Sequence, residues 1–311
     1  MNLEAYWAAR KEAAVADVSG WGKLLFKGPD RRKALHGLFT NDILRLQPGQ
    51  GLLSCVLTPK GKLVADFALY DLWDEMLSVH LPQATPRIVE ALRKPLMLSE
   101  TTIEDASAKW AALLVLGPQT PKILETRLGF AAMAPYACAR AEWQGQALIV
   151  LSYPRFGVNG AIVVTDHKER LETALDLETL DDEALETLRV ESGVPALGFD
   201  TDEDTLPLEL PLESAIDFDK GCYMGQETTA RMKNFGHANR ALVALRLERP
   251  SDPGTSILLD DKPVGRLTSV AHSPAANGFV GLATVRKDLS APGTRLRIEG
   301  AASAEVIAIK V

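Results

Sequence analysis

The chain reads as an α+β protein that ends in an all-β module. Three observations carry this. Up to Gly236, runs of alternating apolar residues are interleaved with stretches whose apolar residues recur three and four apart, the periods of strand and helix. From Arg240 onward only short alternating runs remain, separated by turn residues. With 311 residues the length suits two domains, and allows three, each able to bury a core.

Gly22-Lys23-Leu24-Leu25-Phe26-Lys27-Gly28 is a short strand closed by glycine. Asp30 then stands as N-cap of a helix with Leu35, Leu38 and Phe39 on one face and Arg31, Arg32 and Lys33 on the other. Thr40-Asn41-Asp42 ends it, and Asn and Asp at a helix exit are turn formers. Leu52 to Thr58 and Lys62 to Tyr70, joined by Pro59-Lys60-Gly61, form a hairpin. In its second strand Asp66 shares a face with Val64, Ala68 and Tyr70, a costly place for a carboxylate unless it finds a partner or reaches water at an edge.

Met76 to Leu81 gives a third strand, and Thr85-Pro86 opens a helix bearing Ile88, Val89 and Leu92. Ala111 to Leu116 is a buried strand, followed from Pro118 by a helix with Ile123, Leu124 and Leu128 inward. Strands, hairpins and helices in this order suggest a ferredoxin-like sandwich. Ala147 to Tyr153 and Ala161 to Thr165 make another hairpin, Asp166 caps a helix carrying Leu171, Ala174 and Leu175, and Asp181-Asp182 starts an acidic helix with Leu185 and Leu188 inward. That helix stops at Glu191-Ser192-Gly193-Val194-Pro195. Glu191 lies in its last turn, where the macrodipole favours cations; either Arg189 and water accommodate it, or the broken rule marks function.

Composition excludes several classes. No apolar run approaches the ~20 residues of a membrane helix. The N-terminus lacks secretory and transit patterns, which makes cytoplasm the expectation. Cys55, Cys138 and Cys222 are widely spaced, against a disulfide framework, a zinc ribbon or a cluster held by four cysteines of this subunit. The five histidines are scattered and read as surface or satisfied core residues. Asp200, Asp202, Glu203 and Asp204 lack a calcium loop's glycine and closing Glu, and read as an acidic solvated loop. A net charge of −7 gives no strong nucleic-acid signal, and Arg231, Lys233, His237 and Arg240 read as a solvated face rather than a basic patch.

Lys220-Gly221-Cys222-Tyr223-Met224-Gly225-Gln226-Glu227 is the chemically suggestive stretch. Two glycines let the backbone turn tightly around a thiol. Gln226 through Lys233 lacks Gly and Pro and can run on as a helix, so Cys222 falls at or just before a helix N-terminus with Lys220 close by, features that favour a thiolate. The alternative is a small buried hydrophobe at a turn.

The string Lys-Gly-Cys-Tyr-x-Gly-Gln-Glu, with Ala230-Arg231 after it, resembles the signature of the YgfZ family, folate-binding relatives of the glycine-cleavage T-protein (aminomethyltransferase) linked to maintenance of iron–sulfur enzymes. Thr40-Asn41-Asp42, the Asp66 hairpin, Arg189-Val190-Glu191-Ser192-Gly193-Val194-Pro195 and Leu206-Pro207-Leu208-Glu209 are similar to further elements of that family and spread over nearly the whole chain. Ala65 departs from the acid often found there in true aminomethyltransferases.

The resemblance implies a three-lobed T-protein-like ring: a folate-binding region over residues 1–238, with a ferredoxin-like lobe inserted at roughly 50–130, and a C-terminal β-barrel over 239–311. It implies a tetrahydrofolate site in which Glu191 pairs with the pterin, Asp66 approaches the reactive end of the folate, Asn41 lies beside it, and Arg231 and Arg240 hold the glutamate tail. Cys222 becomes the reactive group, and iron–sulfur client proteins or assembly factors, tRNA-modifying enzymes included, become the partners. Two other functions compete: a true aminomethyltransferase, which needs an acid near the folate nitrogen but no cysteine, and a folate-binding scaffold without turnover.

Overall fold

The structure, a computed structural model, describes residues 1–131, 133–236, 238–300 and 302–309, with Phe235 and Ala302 described in their backbone alone. The chain divides into two compact units, Met1–Ala184 with Ser214–Gln226, and Leu185–Glu213 with Glu227–Val311.

The first unit holds two five-stranded antiparallel sheets. One runs in the order Gly51–Leu57, Leu63–Asp71, Met76–His80, Gly22–Lys27, Thr102–Asp105. With the edge strand Gly51–Leu57 set aside and helices Arg31–His36 and Ala84–Leu96 as the crossovers, this is the βαββαβ pattern of a ferredoxin-like fold. The lobe therefore does not begin near residue 50 or run to 130. Gly22–Lys27 is one of its central strands, with Leu24, Leu25 and Phe26 buried, and Thr102–Asp105 is its edge. The first strand pairs with one more than fifty residues on (Gly22 faces His80), which no local pattern announces.

The other sheet runs Ala14–Asp17, Ala111–Leu116, Gly160–Thr165, Gln146–Ser152, Cys138–Trp143. Val15, Leu113, Val115, Val150 and Val163 form its core with Leu171 and Leu175 from helix Lys168–Leu175. The helix expected from Pro118 begins at Thr120–Ile123 and widens into a π-helical turn, Leu124–Leu128, closed by Gly129 at φ 77°. Three expected caps fail. Asp30 makes no cap bond, and its carboxylate accepts from the Glu100 N–H at 3.0 Å. Thr85 lies inside helix Ala84–Leu96 and bonds His80, while His167 rather than Asp166 precedes helix Lys168–Leu175. Asp181, by contrast, accepts the Ala184 N–H at 2.8 Å.

In the second unit the expected all-β module is a closed six-stranded barrel. Arg240–Leu247 pairs with Gly278–Arg286 on one side and Ala302–Ile307 on the other, so no edge is left open. Val243, Leu245, Ile257, Leu267, Val285 and Ile298 fill it. The barrel is joined to the segment before it by a buried ionic knot. Arg189 donates to Val194 O (2.5 Å), Asp200 Oδ2 (2.8 Å) and Ser269 Oγ (2.8 Å). Asp200 also accepts from Thr268, Ser269 and the Ala196 N–H. Asp200 is thus buried, not part of a solvated acidic loop: its carboxylate is what fastens the segment to the barrel wall.

Candidate functional site

The first unit brings three of the expected residues into two neighbouring constellations of side chains. The Thr40-Asn41-Asp42 turn lies at the exit of helix Arg31–His36. The Thr40 hydroxyl donates to Ala215 O (2.7 Å) and accepts the Cys55 N–H (2.9 Å), and the Asn41 amide donates to Leu53 O (2.8 Å) and Ser214 O (3.0 Å). Asn41 Oδ1 takes the Asp42 N–H. Its polar atoms are thus spent on backbone, so Asn41 staples strand Gly51–Leu57 to segment 214–215.

The thiol loop is fastened to the same turn. Asp217 Oδ1 accepts the N–H groups of Asp219 (2.8 Å) and Lys220 (3.1 Å). The Lys220 ammonium donates to three carbonyls, His36 O (2.6 Å), Phe39 O (2.7 Å) and Asn41 O (2.9 Å), and sits 5.1 Å from the centre of the Tyr223 ring. Burial pushes its pKa down to about 8, against the pull of Asp42 and Asp217. Past the thiol, the Met224 N–H donates to Gly37 O at 3.1 Å. Gly225 has φ +81°, and a Cβ there would stand 2.5 Å from Thr58 O, so the loop must carry glycine where it meets the hairpin.

Between these fixed points Cys222 is exposed, whereas Cys55 and Cys138 are buried. Burial pushes the Cys138 thiol up to about 12 and the Cys55 thiol higher still, which leaves them inert. The alternative of a buried packing cysteine thus fails for Cys222. The helix expected from Gln226 does start there and runs to Phe235, so the thiol lies four residues before it, and Lys220 is committed to carbonyls at the end of helix Arg31–His36.

Asp66 projects from strand Leu63–Asp71 opposite Cys55. Its partner is Arg155, Nη2 to Oδ2 at 2.6 Å, with the two side chains 9% and 10% exposed. Burial opposes the Arg155 charge, but Asp66, then Tyr153 and Tyr136, more than offset it and raise its pKa. Burial also pushes Tyr153 up to about 12, so its phenol stays protonated. Sequence reasoning missed Arg155, which sits between two strands in Pro154-Arg155-Phe156-Gly157, with nothing local to tie it to a residue 89 positions earlier.

The remaining expected residues belong to the second unit. Glu191 is half-buried near the end of helix Asp182–Ser192, two residues after the anchored Arg189. Gly193 follows at φ +72°, where a Cβ would meet Ile309 at 2.3 Å. Arg231 pairs with Glu227 four residues back at 2.8 Å on an exposed helix face. Arg240 forks onto Glu209 (3.0 and 3.2 Å) and reaches Asp202 at 3.3 Å. Both arginines therefore have carboxylate partners within their own unit. Of the surface cluster that contained them, His237 lies outside the described residues. Among the described residues no three His, Cys, Asp or Glu side chains form a metal-holding group, and no helix is long and apolar enough to cross a membrane.

A six-stranded barrel following a two-sheet α/β unit is the architecture of the T-protein class of proteins. Residues 2–155 match the GCVT N-terminal domain, and residues 240–311 match the glycine cleavage T-protein C-terminal barrel domain. The chain thus matches both domain models of the T-protein family. It is 27% identical over 313 residues to the aminomethyltransferase of Halothermothrix orenii, covering 95% of this chain and 86% of that one. It is 28% identical over 308 residues to a chloroplastic protein of Arabidopsis thaliana named for an unproven transferase activity, covering 95% of this chain and 70% of that one. The crystal structure of glycine cleavage system aminomethyltransferase T from Bartonella henselae superposes with a TM-score of 0.87 at 21% identity, over 99% of this chain and 89% of that one, and so shares the fold.

Proposed function

We propose that the protein is a tetrahydrofolate-dependent factor of the YgfZ type, working in the cytoplasm and supporting assembly or repair of iron–sulfur enzymes, tRNA-modifying ones among them. The observation that carries this is the exposed thiol of Cys222 on a loop pinned on both sides, by the Lys220 ammonium and by the Met224 N–H. Transfer of a methylene to folate requires no thiol; exchange with sulfur or metal on a client does.

Each unit, taken by itself, carries a carboxylate suited to a folate. Asp66 keeps a nearly buried carboxylate backed by a buried guanidinium, suited to the amine end of the ligand. Glu191, held by the anchored turn after Arg189, is suited to two parallel N–H bonds from the pterin amide and its exocyclic amine. Bound tetrahydrofolate would supply a nitrogen able to carry a one-carbon unit, while the residues of this chain bind and orient it.

The similarity to aminomethyltransferases keeps one rival in view, methylene transfer from a lipoyl-bound aminomethyl group. Calorimetry and a transfer assay with the lipoyl carrier protein separate them. Expected are tetrahydrofolate binding without transfer, and a Cys222→Ser variant that binds folate normally yet fails to support iron–sulfur enzymes in cells. Transfer that survives Cys222→Ser makes the protein an aminomethyltransferase. A fully active Cys222→Ser without transfer makes it a scaffold.

A further inference from the structure

We propose that His36 is the general base for Cys222, oriented by Asp42. The loop and the end of helix Arg31–His36 are pinned side by side at two points. His36 O accepts from Lys220 at 2.6 Å, two residues before the thiol, and Gly37 O accepts from the Met224 N–H at 3.1 Å, two residues after it. Between them, Nε2 of His36 lies 4.0 Å from the point a Cβ on Gly221 would occupy. Nε2 therefore lies on the Gly221 side of the loop, one residue before Cys222, and the absence of a side chain on Gly221 leaves that approach open.

The far side of the ring fixes its tautomer. Nδ1 is buried and makes no aligned hydrogen bond, and the acceptor within reach is Asp42 Oδ1 at 3.2 Å. A carboxylate there favours the proton on Nδ1 and leaves the Nε2 lone pair toward the loop. Asp42 is itself fixed by the N–H groups of Leu44 and Arg45. The charged groups acting on His36 are Lys220, Asp42 and Asp217. Burial and the Lys220 charge hold its pKa below the ordinary imidazole value, against Asp42 and Asp217, so the ring is neutral at physiological pH. The step is a single proton transfer: the Sγ–H bond breaks, the proton moves to Nε2, and the electron pair stays on sulfur. The resulting imidazolium faces Asp42, and the thiolate is ready for an electrophilic sulfur or carbon on a client.

The inference rests on the thiol's role proposed above, but its test reads the thiol alone. The full-length protein is treated with iodoacetamide from pH 5 to 9, and modification of each cysteine is followed by mass spectrometry. In the wild type, Cys222 should react at a rate that rises as pH passes through the imidazole range, well below the ~8.5 of an ordinary thiol. His36→Gln should slow the reaction about tenfold at pH 7 and move the rise to the ordinary thiol range; Asp42→Asn should do the same more weakly. Protected Cys55 and Cys138 report that each variant is folded, and if His36→Gln exposes them, the Asp42→Asn profile decides. Superimposable profiles for wild type and the folded variants overturn the proposal. Neither folate nor a client enters the readout, so that result would leave the folate reading standing.

Discussion

At the scale of single residues, two cations, half-buried Lys220 and buried Arg155, organise the first unit, each tested by removing its charge. Lys220 occupies a nest of carbonyls at the end of helix Arg31–His36, where helix-end acceptors lack intrahelical partners. It closes the helix and fastens the thiol loop with one ammonium, a task for three divergent donors on a flexible stem that the planar fork of arginine does not match. Lys220→Met should cost about 1–3 kcal/mol in urea unfolding. It should also speed amide exchange across Gly221–Met224; an unchanged exchange rate there would show that the loop is held by other means. Arg155 is the second case. Removing it leaves the Asp66 carboxylate buried without its cation, which costs about 3–5 kcal/mol when a buried pair is broken from one side. Arg155→Met should therefore be severely destabilising, and Asp66→Asn added to it should restore part of the loss. If the two substitutions simply add, the 2.6 Å pair contributes nothing specific.

At the scale of elements, local pattern and long-range pairing part company. The hairpin Gly51–Leu57 with Leu63–Asp71 and the strand Ala111–Leu116 were legible because alternation and turn residues sit within a dozen positions. Strands Ala14–Asp17 and Thr102–Asp105 were not, since four residues are too few to show a period and their partners lie far along the chain. Two of the three failed caps share a cause: Asp30 and Thr85 each found a tertiary partner better placed than the helix end beside it. Thr85 shows what that partner does. His80 ends strand Met76–His80 buried between Ser78 Oγ (3.3 Å) and Thr85 Oγ1 (3.1 Å), tying the strand to the helix that follows. Gly22 leaves room for it, since a Cβ there would stand 2.2 Å from the imidazole. Burial pushes the His80 pKa from 6.5 down to about 3. Between those values the unfolded chain binds a proton that the folded chain refuses, so stability falls as pH drops from about 6.5 to about 3. The slope from this residue approaches about 1.4 kcal/mol per pH unit at most. Urea unfolding of wild type and His80→Gln at several pH values isolates it, because every carboxylate contributes equally to both. The stability gap should narrow steadily on acidification, and a gap independent of pH would mean that His80 titrates normally.

At the scale of the whole molecule, the barrel was the most legible part and the compact units the least. Six short alternating runs announce a barrel because each strand carries its own period, and closure follows from burying every inward face. The candidate site was legible as motifs and not as partners: Cys222, Asp66 and Glu191 stand in recognisable strings, whereas Lys220 meets His36 across 184 positions and Arg189 meets Ser269 across 80. The second of these contacts explains why the unit containing the barrel extends back to Leu185, well before the change in sequence texture at Gly236. The segment carrying Glu191 is held to the barrel by one carboxylate: Asp200 receives Arg189, Thr268, Ser269 and the Ala196 N–H together. Asp200→Ala should leave the buried guanidinium with half-exposed Glu186 as its remaining carboxylate partner, at a cost of about 3 kcal/mol, the low end for breaking a buried pair from one side. Hydrogen exchange locates the damage. Amides of residues 189–200 and of the strand Lys262–Ser273 should lose protection together, while the sheet built on Gly22–Lys27 keeps its own. Asp200→Asn retains acceptor capacity for the hydroxyls but not the charge, so it should fall between the two. Loss of protection confined to residues 189–200 would show that the barrel wall stands without the knot, and that the segment carrying Glu191 is a guest on it rather than part of its core.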